Sequence, residues 1–150
     1  LPEAQADRFL FKIKTEYPTP EDEMEIINRF TEEDRSINSL KPIINAEAIV
    51  ALQEMVKKVP VANDIKQYVV NLITKTRNHK ELVEYGASPR ASIGLLMAAK
   101  AKALTEGRNY VGKEDVNAMA LPVLRHRIIL NFEAERNNFG ADDVIKYLIK

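Results

Sequence analysis

Only one stretch of this 150-residue chain alternates. In Phe9-Leu10-Phe11-Lys12-Ile13-Lys14, the side chains of Phe9, Phe11 and Ile13 fall on one face, and Lys12 and Lys14 fall on the other. That is the period of a half-buried strand. A single strand is not stable by itself. The sequence therefore predicts that Phe9–Lys14 joins a sheet supplied by other sequence, and that a bundle of helices supplies the core of this chain.

Those helices follow the 3.6-residue period. Tyr17-Pro18 breaks the chain. Thr19 then reads as a cap, with Pro20 at the first helical position and acids in the first turn. Met24, Ile26, Ile27 and Phe30 form its stripe, and the polar stretch Thr31–Ser39 ends it. Asn45 caps a second helix with Ile49, Leu52, Val56 and Val59 on one face, stopped by Pro60. Asn63 caps a third, whose inner face is Ile65, Tyr68, Val69, Leu72 and Ile73. Ser88-Pro89 opens a fourth, with a stripe of Ile93, Leu96, Met97 and Leu104 among alanines, closed by Gly107. A fifth begins after Gly112, and Pro122 must kink or end it. Ile128–Phe132 is ambiguous between helix and strand, and a last helix covers Asp142–Ile149. The predicted boundary near Tyr17-Pro18 leaves a helical part that can bury its own core.

Several classes of function are disfavoured. Net charge is zero, whereas a broad nucleic-acid footprint carries a basic excess. No apolar run approaches the ~20 residues that span a bilayer. There is no cysteine, which fits a cytoplasmic protein and excludes disulfides and cysteine-based zinc sites. Two histidines are too few for a metal cluster, so no metal-ligating residues are assigned. Leu1 in place of an initiator methionine leads to the expectation that the chain begins inside a longer gene product.

Gly107-Arg108-Asn109-Tyr110-Val111-Gly112-Lys113 comes near a phosphate-binding P-loop but fails at the next residue. Glu114 stands where magnesium needs a hydroxyl, and the segment follows a helix instead of a buried strand. It reads as a helix end, a turn and the next helix. Gly86-Ala87-Ser88-Pro89-Arg90 is not a nucleophile elbow, because Arg90 occupies the place of the second glycine.

Two arginines stand out. Arg8 precedes the alternating stretch, and Arg90 sits in the first turn of a helix. Guanidinium groups never deprotonate and offer a fork of donors that matches phosphate oxygens. A first-turn arginine opposes the helix dipole, which makes sense where an anion binds nearby. Plainer readings stand beside these: a solvated helix arginine for Arg90 and a surface Asp7–Arg8 ion pair. Arg125-His126-Arg127 reads either as a phosphate patch or as a basic helix end that complements terminal carbonyls.

Leu1-Pro2-Glu3-Ala4-Gln5 with Asp7-Arg8-Phe9, and then Gly86-Ala87-Ser88-Pro89-Arg90-Ala91, resemble two segments of the MoxR-type AAA+ ATPases. Gly107-Arg108, Tyr110-Val111, Glu114-Asp115-Val116 and Val123-Leu124-Arg125-His126-Arg127-Ile128 fit the downstream pattern. The match is ordered and spans nearly the whole chain. Ala6 and Gly112-Lys113 depart from the pattern without touching either arginine.

The resemblance implies a mostly α fold. Residues 1–18 would end an AAA+ α/β core, and residues 19–150 would form the C-terminal helical lid. It implies that Arg8 is the arginine finger, acting in trans on a neighbour's ATP, and that Arg90 is sensor 2 at the γ-phosphate. Walker A, Walker B and sensor 1 are absent from this sequence. ATP and Mg2+ would thus belong to the intact protein, and this stretch alone is expected to bind neither tightly. The family further implies a ring, commonly a hexamer, with chaperone-like remodelling or maturation of partners, often proteins with a von Willebrand factor A domain. A helical protein-interaction module without ATPase coupling is the alternative.

Overall fold

The structure, a computed structural model, describes residues 3–31 and 41–150. Leu1, Pro2 and the expected polar terminator after Thr31 lie outside the described residues. The order of elements is α1 (Glu3–Ala6), α2 (Pro20–Thr31), α3 (Ala46–Lys58), α4 (Asn63–Asn78), β1 (Val83–Tyr85), α5 (Pro89–Thr105), α6 (Lys113–Leu124), β2 (Ile129–Leu130), α7 (Phe132–Arg136) and α8 (Ala141–Ile149).

The core lies where α5 meets α4 and α6, with α8 closing against α4 and α6. Its largest fully buried side chains include Ile73, Leu95, Leu124 and Ile145. The buried face of α5 differs from the predicted stripe. Ala91, Gly94, Leu95, Ala98, Ala99 and Ala103 face inward, whereas Ile93 is 67% exposed. Small side chains let α6 approach α5 closely, so the alanines are the contact surface and the larger residues flank it. The predicted inner face of α4 holds: Ile65, Val69, Leu72 and Ile73 are buried, and Tyr68 packs against the core while donating to Asn117 at 2.7 Å. Asn63 is the first residue of α4, with Ala62 at the capping position.

Caps fix other boundaries. Thr19 and Asp22 bond reciprocally at the start of α2, and Asn45 accepts from the Ala48 amide at the start of α3. Gly107 ends α5 in the left-handed region (φ +76°). Pro122 does not stop α6 at once; it sits in the final turn, and the helix runs on to Leu124. Neither α2 nor α3 buries a residue, and the stripe Met24, Ile26, Ile27 and Phe30 of α2 is exposed.

The strand expected over Phe9–Lys14, in a sheet supplied by other sequence, has no strand partner among the described residues, whose sheet is a short antiparallel pair of β1 and β2. Val83 lies opposite Leu130 and Tyr85 opposite Ile129, which resolves the ambiguity at Ile128–Phe132 into a strand followed by α7. The backbone of 9–14 finds other partners. The Lys12 amide donates to the Pro122 carbonyl at 2.9 Å. Side chains just beyond α6 take up carbonyls of the same segment, as described next. The alternation is real, but a ladder needs a neighbouring strand, and here helix-end donors fill that role.

Candidate functional site

Gly86 starts the site because the backbone there lies against the last turn of α4. A Cβ at residue 86 would stand 2.6 Å from the Arg77 Cα and amide nitrogen, both backbone atoms that cannot yield. Ala87 follows with no exposed surface. Its amide donates to Thr76 Oγ1 at 3.0 Å, and its carbonyl accepts from Arg77 Nε at 2.8 Å. These contacts fix where α5 begins. Pro89 then takes the first helical position, which puts Arg90 in the first turn.

Ser88 stands at the N-cap position of α5, but its hydroxyl makes no cap bond. It donates instead to both oxygens of Asp7, at 3.1 and 3.0 Å. Asp7 lies in the turn after α1, where the Arg8 and Phe9 amides close onto the carbonyls of Gln5 and Ala6. The same carboxylate accepts from Arg127 Nε at 3.0 Å and from Arg90 Nη1 at 3.3 Å. Burial pushes the Asp7 carboxyl up, but the Ser88 hydroxyl, Arg127 and Arg90 outweigh it and hold the group below its usual range.

The predicted Asp7–Arg8 surface pair is therefore replaced: Asp7 pairs with Arg127 and Arg90. Arg8 is exposed, and its guanidinium has no hydrogen-bond or ion-pair partner among the described residues. Arg90 is nearly as available. Its side chain is 60% exposed, and its single contact with Asp7 is longer than the 2.7–2.9 Å usual for charge-assisted bonds. Such an exposed pair contributes at most about 1 kcal/mol. One residue, Asp7, thus brings the Arg8 turn and the Arg90 helix together across 80 intervening positions.

Arg125-His126-Arg127 has a role that sequence reading missed. Arg127 is a buried cation, with its side chain 2% exposed. Besides Asp7 Oδ1, it donates to the carbonyls of Asp7 (3.0 Å), Phe9 (2.6 Å) and Leu10 (3.2 Å), and to that of Val123 in the last turn of α6. Only the Val123 bond matches the helix-end reading. His126 Nε2 donates to the Phe9 carbonyl at 2.9 Å. Its Nδ1 is buried without a partner, and burial pushes its pKa down. Arg125 donates to the Lys12 carbonyl and to Asp142, both at 3.0 Å, and Lys14 reaches Asp142 at 2.9 Å. Three consecutive side chains thus grip residues 7–12. Asp7, Gly86, Ser88, His126 and Arg127 line a shallow pocket of about 210 Å3.

The near-P-loop segment forms the junction between α5 and α6. Gly112 caps α6, and Asp115 accepts from its amide at 2.8 Å. Arg108 meets the buried Asp115 in a bidentate pair at 2.7 and 2.5 Å, and that bond holds the Asp115 carboxyl below its usual range. Among the described residues no three acids or histidines form a metal cluster, and no helix is long and apolar enough to cross a membrane.

Comparison with known proteins shows what the chain resembles. Residues 75–147 match the AAA lid domain. The chain is 39% identical to Chaperone MoxR1 of Mycobacterium tuberculosis, over all of this chain and 41% of that protein. It is 38% identical to the uncharacterized YeaC of Bacillus subtilis, over 99% of this chain and 46% of that one. It superposes on the crystal structure of a candidate ATPase from Cytophaga hutchinsonii with a TM-score of 0.87 and 32% identity, covering 99% of this chain and 47% of that one. The chain thus spans less than half the length of each of these relatives.

Proposed function

We propose a role for this chain from the family to which it belongs, the MoxR-type AAA+ ATPases, whose lid domain it carries. In this reading residues 1–18 end the α/β core and residues 19–150 are the lid. The intact protein is a cytoplasmic ATP hydrolase whose subunits form a ring, commonly a hexamer. The ring couples hydrolysis to remodelling or maturation of partner proteins, among them proteins with a von Willebrand factor A domain.

Arg8 acts in trans as the arginine finger, and Arg90 is sensor 2. The observation that carries this reading is their shared setting. Arg8 directly follows Asp7 in the chain and is exposed, Arg90 is exposed and touches the same acid, and neither guanidinium is committed to a strong partner among the described residues. Their donors fit phosphate oxygens. Mg2+ and the rest of ATP have no ligand set here, and the reading leaves them to Walker motifs outside this sequence. ATP, when bound, supplies the scissile γ-phosphate. Arg8 places positive charge where negative charge accumulates on a neighbour's transferring group. Arg90 exchanges its long contact with Asp7 for phosphate oxygens, and release of the Ser88–Asp7 bond would let the start of α5 follow.

The test is Arg8→Ala in the full-length protein. Turnover should fall about 10³–10⁵-fold with ATP affinity nearly unchanged. Mixing that variant with subunits defective only in Walker B should restore part of the rate at mixed interfaces. An unchanged rate for Arg8→Ala rejects the assignment.

A further inference from the structure

We infer that Arg127 is a positioning residue for Arg8: its single buried guanidinium fixes the backbone on both sides of Arg8 and leaves that side chain free to project. This rests on the reading of Arg8 as a finger and adds the device that aims it.

The argument starts from donors. A guanidinium has five N–H groups in a rigid fork. Arg127 spends them on Asp7 Oδ1, on the carbonyls of Asp7, Phe9 and Leu10, and on Val123 of α6. The residues bonded at the N-terminal segment are therefore 7, 9 and 10. Arg8 is bracketed and itself untouched. The backbone on either side of it is tied to a residue that follows α6, a helix packed into the core.

Stability alone does not call for this arrangement. Replacing a buried ion pair by apolar residues of similar volume is often neutral or stabilising. A buried cation that aims four donors at one exposed turn is better suited to fixing a geometry. His126 and Arg125 extend the grip to the carbonyls of Phe9 and Lys12. Asp7, held by the same guanidinium, also receives Arg90, so the finger and the sensor share one mount.

Lysine at 127 keeps the charge but offers three donors from one point, which cannot reach oxygens spread over residues 7–10. A catalytic group displaced by ~1 Å loses about 100-fold in rate. In the full-length protein, Arg127→Lys should therefore lower kcat by about 10–100-fold, with KM for ATP kept within about twofold. In an Arg8→Ala background the same change should cost nothing further, because there is no finger left to aim. Mixing Arg127→Lys with Walker B-defective subunits should recover activity, since the partner's intact finger then completes the variant's own site. If Arg127→Lys does not fold, Asp7→Asn takes its place: it cuts the ion pair, leaves the carbonyl bonds, and should lose rate only when Arg8 is present. Wild-type turnover in Arg127→Lys beside a crippled Arg8→Ala overturns this inference and spares the finger. A loss of equal size with and without Arg8 also overturns it. Full activity of Arg8→Ala removes the reading on which it rests.

Discussion

Arg127→Met in the 150-residue chain offers a direct measure of how the N-terminal segment is held. The side chain is 2% exposed, and Asp7 is 21% exposed. Removing one partner of a buried pair costs about 3–5 kcal/mol. Two features push the cost to the lower end. Asp7 keeps Ser88 and Arg90, and the freed carbonyls of Phe9 and Leu10 belong to residues 57% and 46% exposed, which water can reach. The expected loss is about 3 kcal/mol, or a melting temperature lower by about 6–12 °C for a chain of this length. The second arm of the test deletes residues 1–17. Arg127 then loses Asp7 and three of its four carbonyls, retaining Val123. In that background Arg127→Met should be neutral or stabilising. Urea unfolding of the four chains, followed by circular dichroism, closes the cycle. An equal loss in both backgrounds would show that Arg127 acts within the helical part alone, and the grip on residues 7–10 would have no energetic content. The same deletion tests the expectation that the helices from Thr19 onward fold independently of the preceding segment.

Gly86→Ala should cost more than about 2 kcal/mol in the same unfolding assay, because its Cβ meets the α4 backbone at 2.6 Å; a neutral result would mean that the 76–87 contact is dispensable. Stability should also fall in two steps with acid. The His126 pKa is lowered by burial, so the unfolded chain takes up a proton that the fold refuses, and stability declines as pH drops below about 6.5. The Asp7, Asp115 and Asp142 carboxyls lie below their ordinary value, so their contribution is complete above about pH 4 and is lost beneath it. Urea midpoints at pH 7, 5.5 and 4 check both steps, and His126→Gln should flatten the first. Calorimetry of this chain with ATP and Mg2+ should show no micromolar binding, since the only near-P-loop is occupied by the Arg108–Asp115 pair.

Local grammar was legible in the residues. Caps and prolines placed α2, α3 and α5 closely, because these signals act within one turn. The near-P-loop segment follows α5 and opens α6, as the local pattern of helix end, turn and helix start predicted. The α5 stripe misled because large apolar residues were assumed to face inward, whereas the alanine face is what permits close helix contact. Phe9–Lys14 pairs with no strand among the described residues, because alternation states a face and not a partner, and the expected sheet belongs to other sequence. Most hidden were Ser88, Asp7 and Arg127. A serine before Pro89 reads as a cap, an acid before Arg8 as its mate, and an arginine after α6 as a helix-end charge. Each instead bonds to another across more than 80 positions, and no local period encodes that.

These long-range bonds also rank the ways the site can open. Asp7 holds two arginines of unequal strength: Arg127 is buried and multiply bonded, and Arg90 is exposed and bonded once at 3.3 Å. An anion competing for this cluster therefore draws off Arg90 first, at a cost of at most about 1 kcal/mol. The turn that carries Arg8 stays clamped while this happens. Ser88, two residues before Arg90, still ties the start of α5 to Asp7. Movement of Arg90 towards a phosphate is thus a side-chain exchange unless Ser88 also lets go, and only then does α5 move as a body. The Ser88–Asp7 bond, with no cap bond to fall back on, is the contact that decides whether a nucleotide signal stops at Arg90 or turns the whole helix.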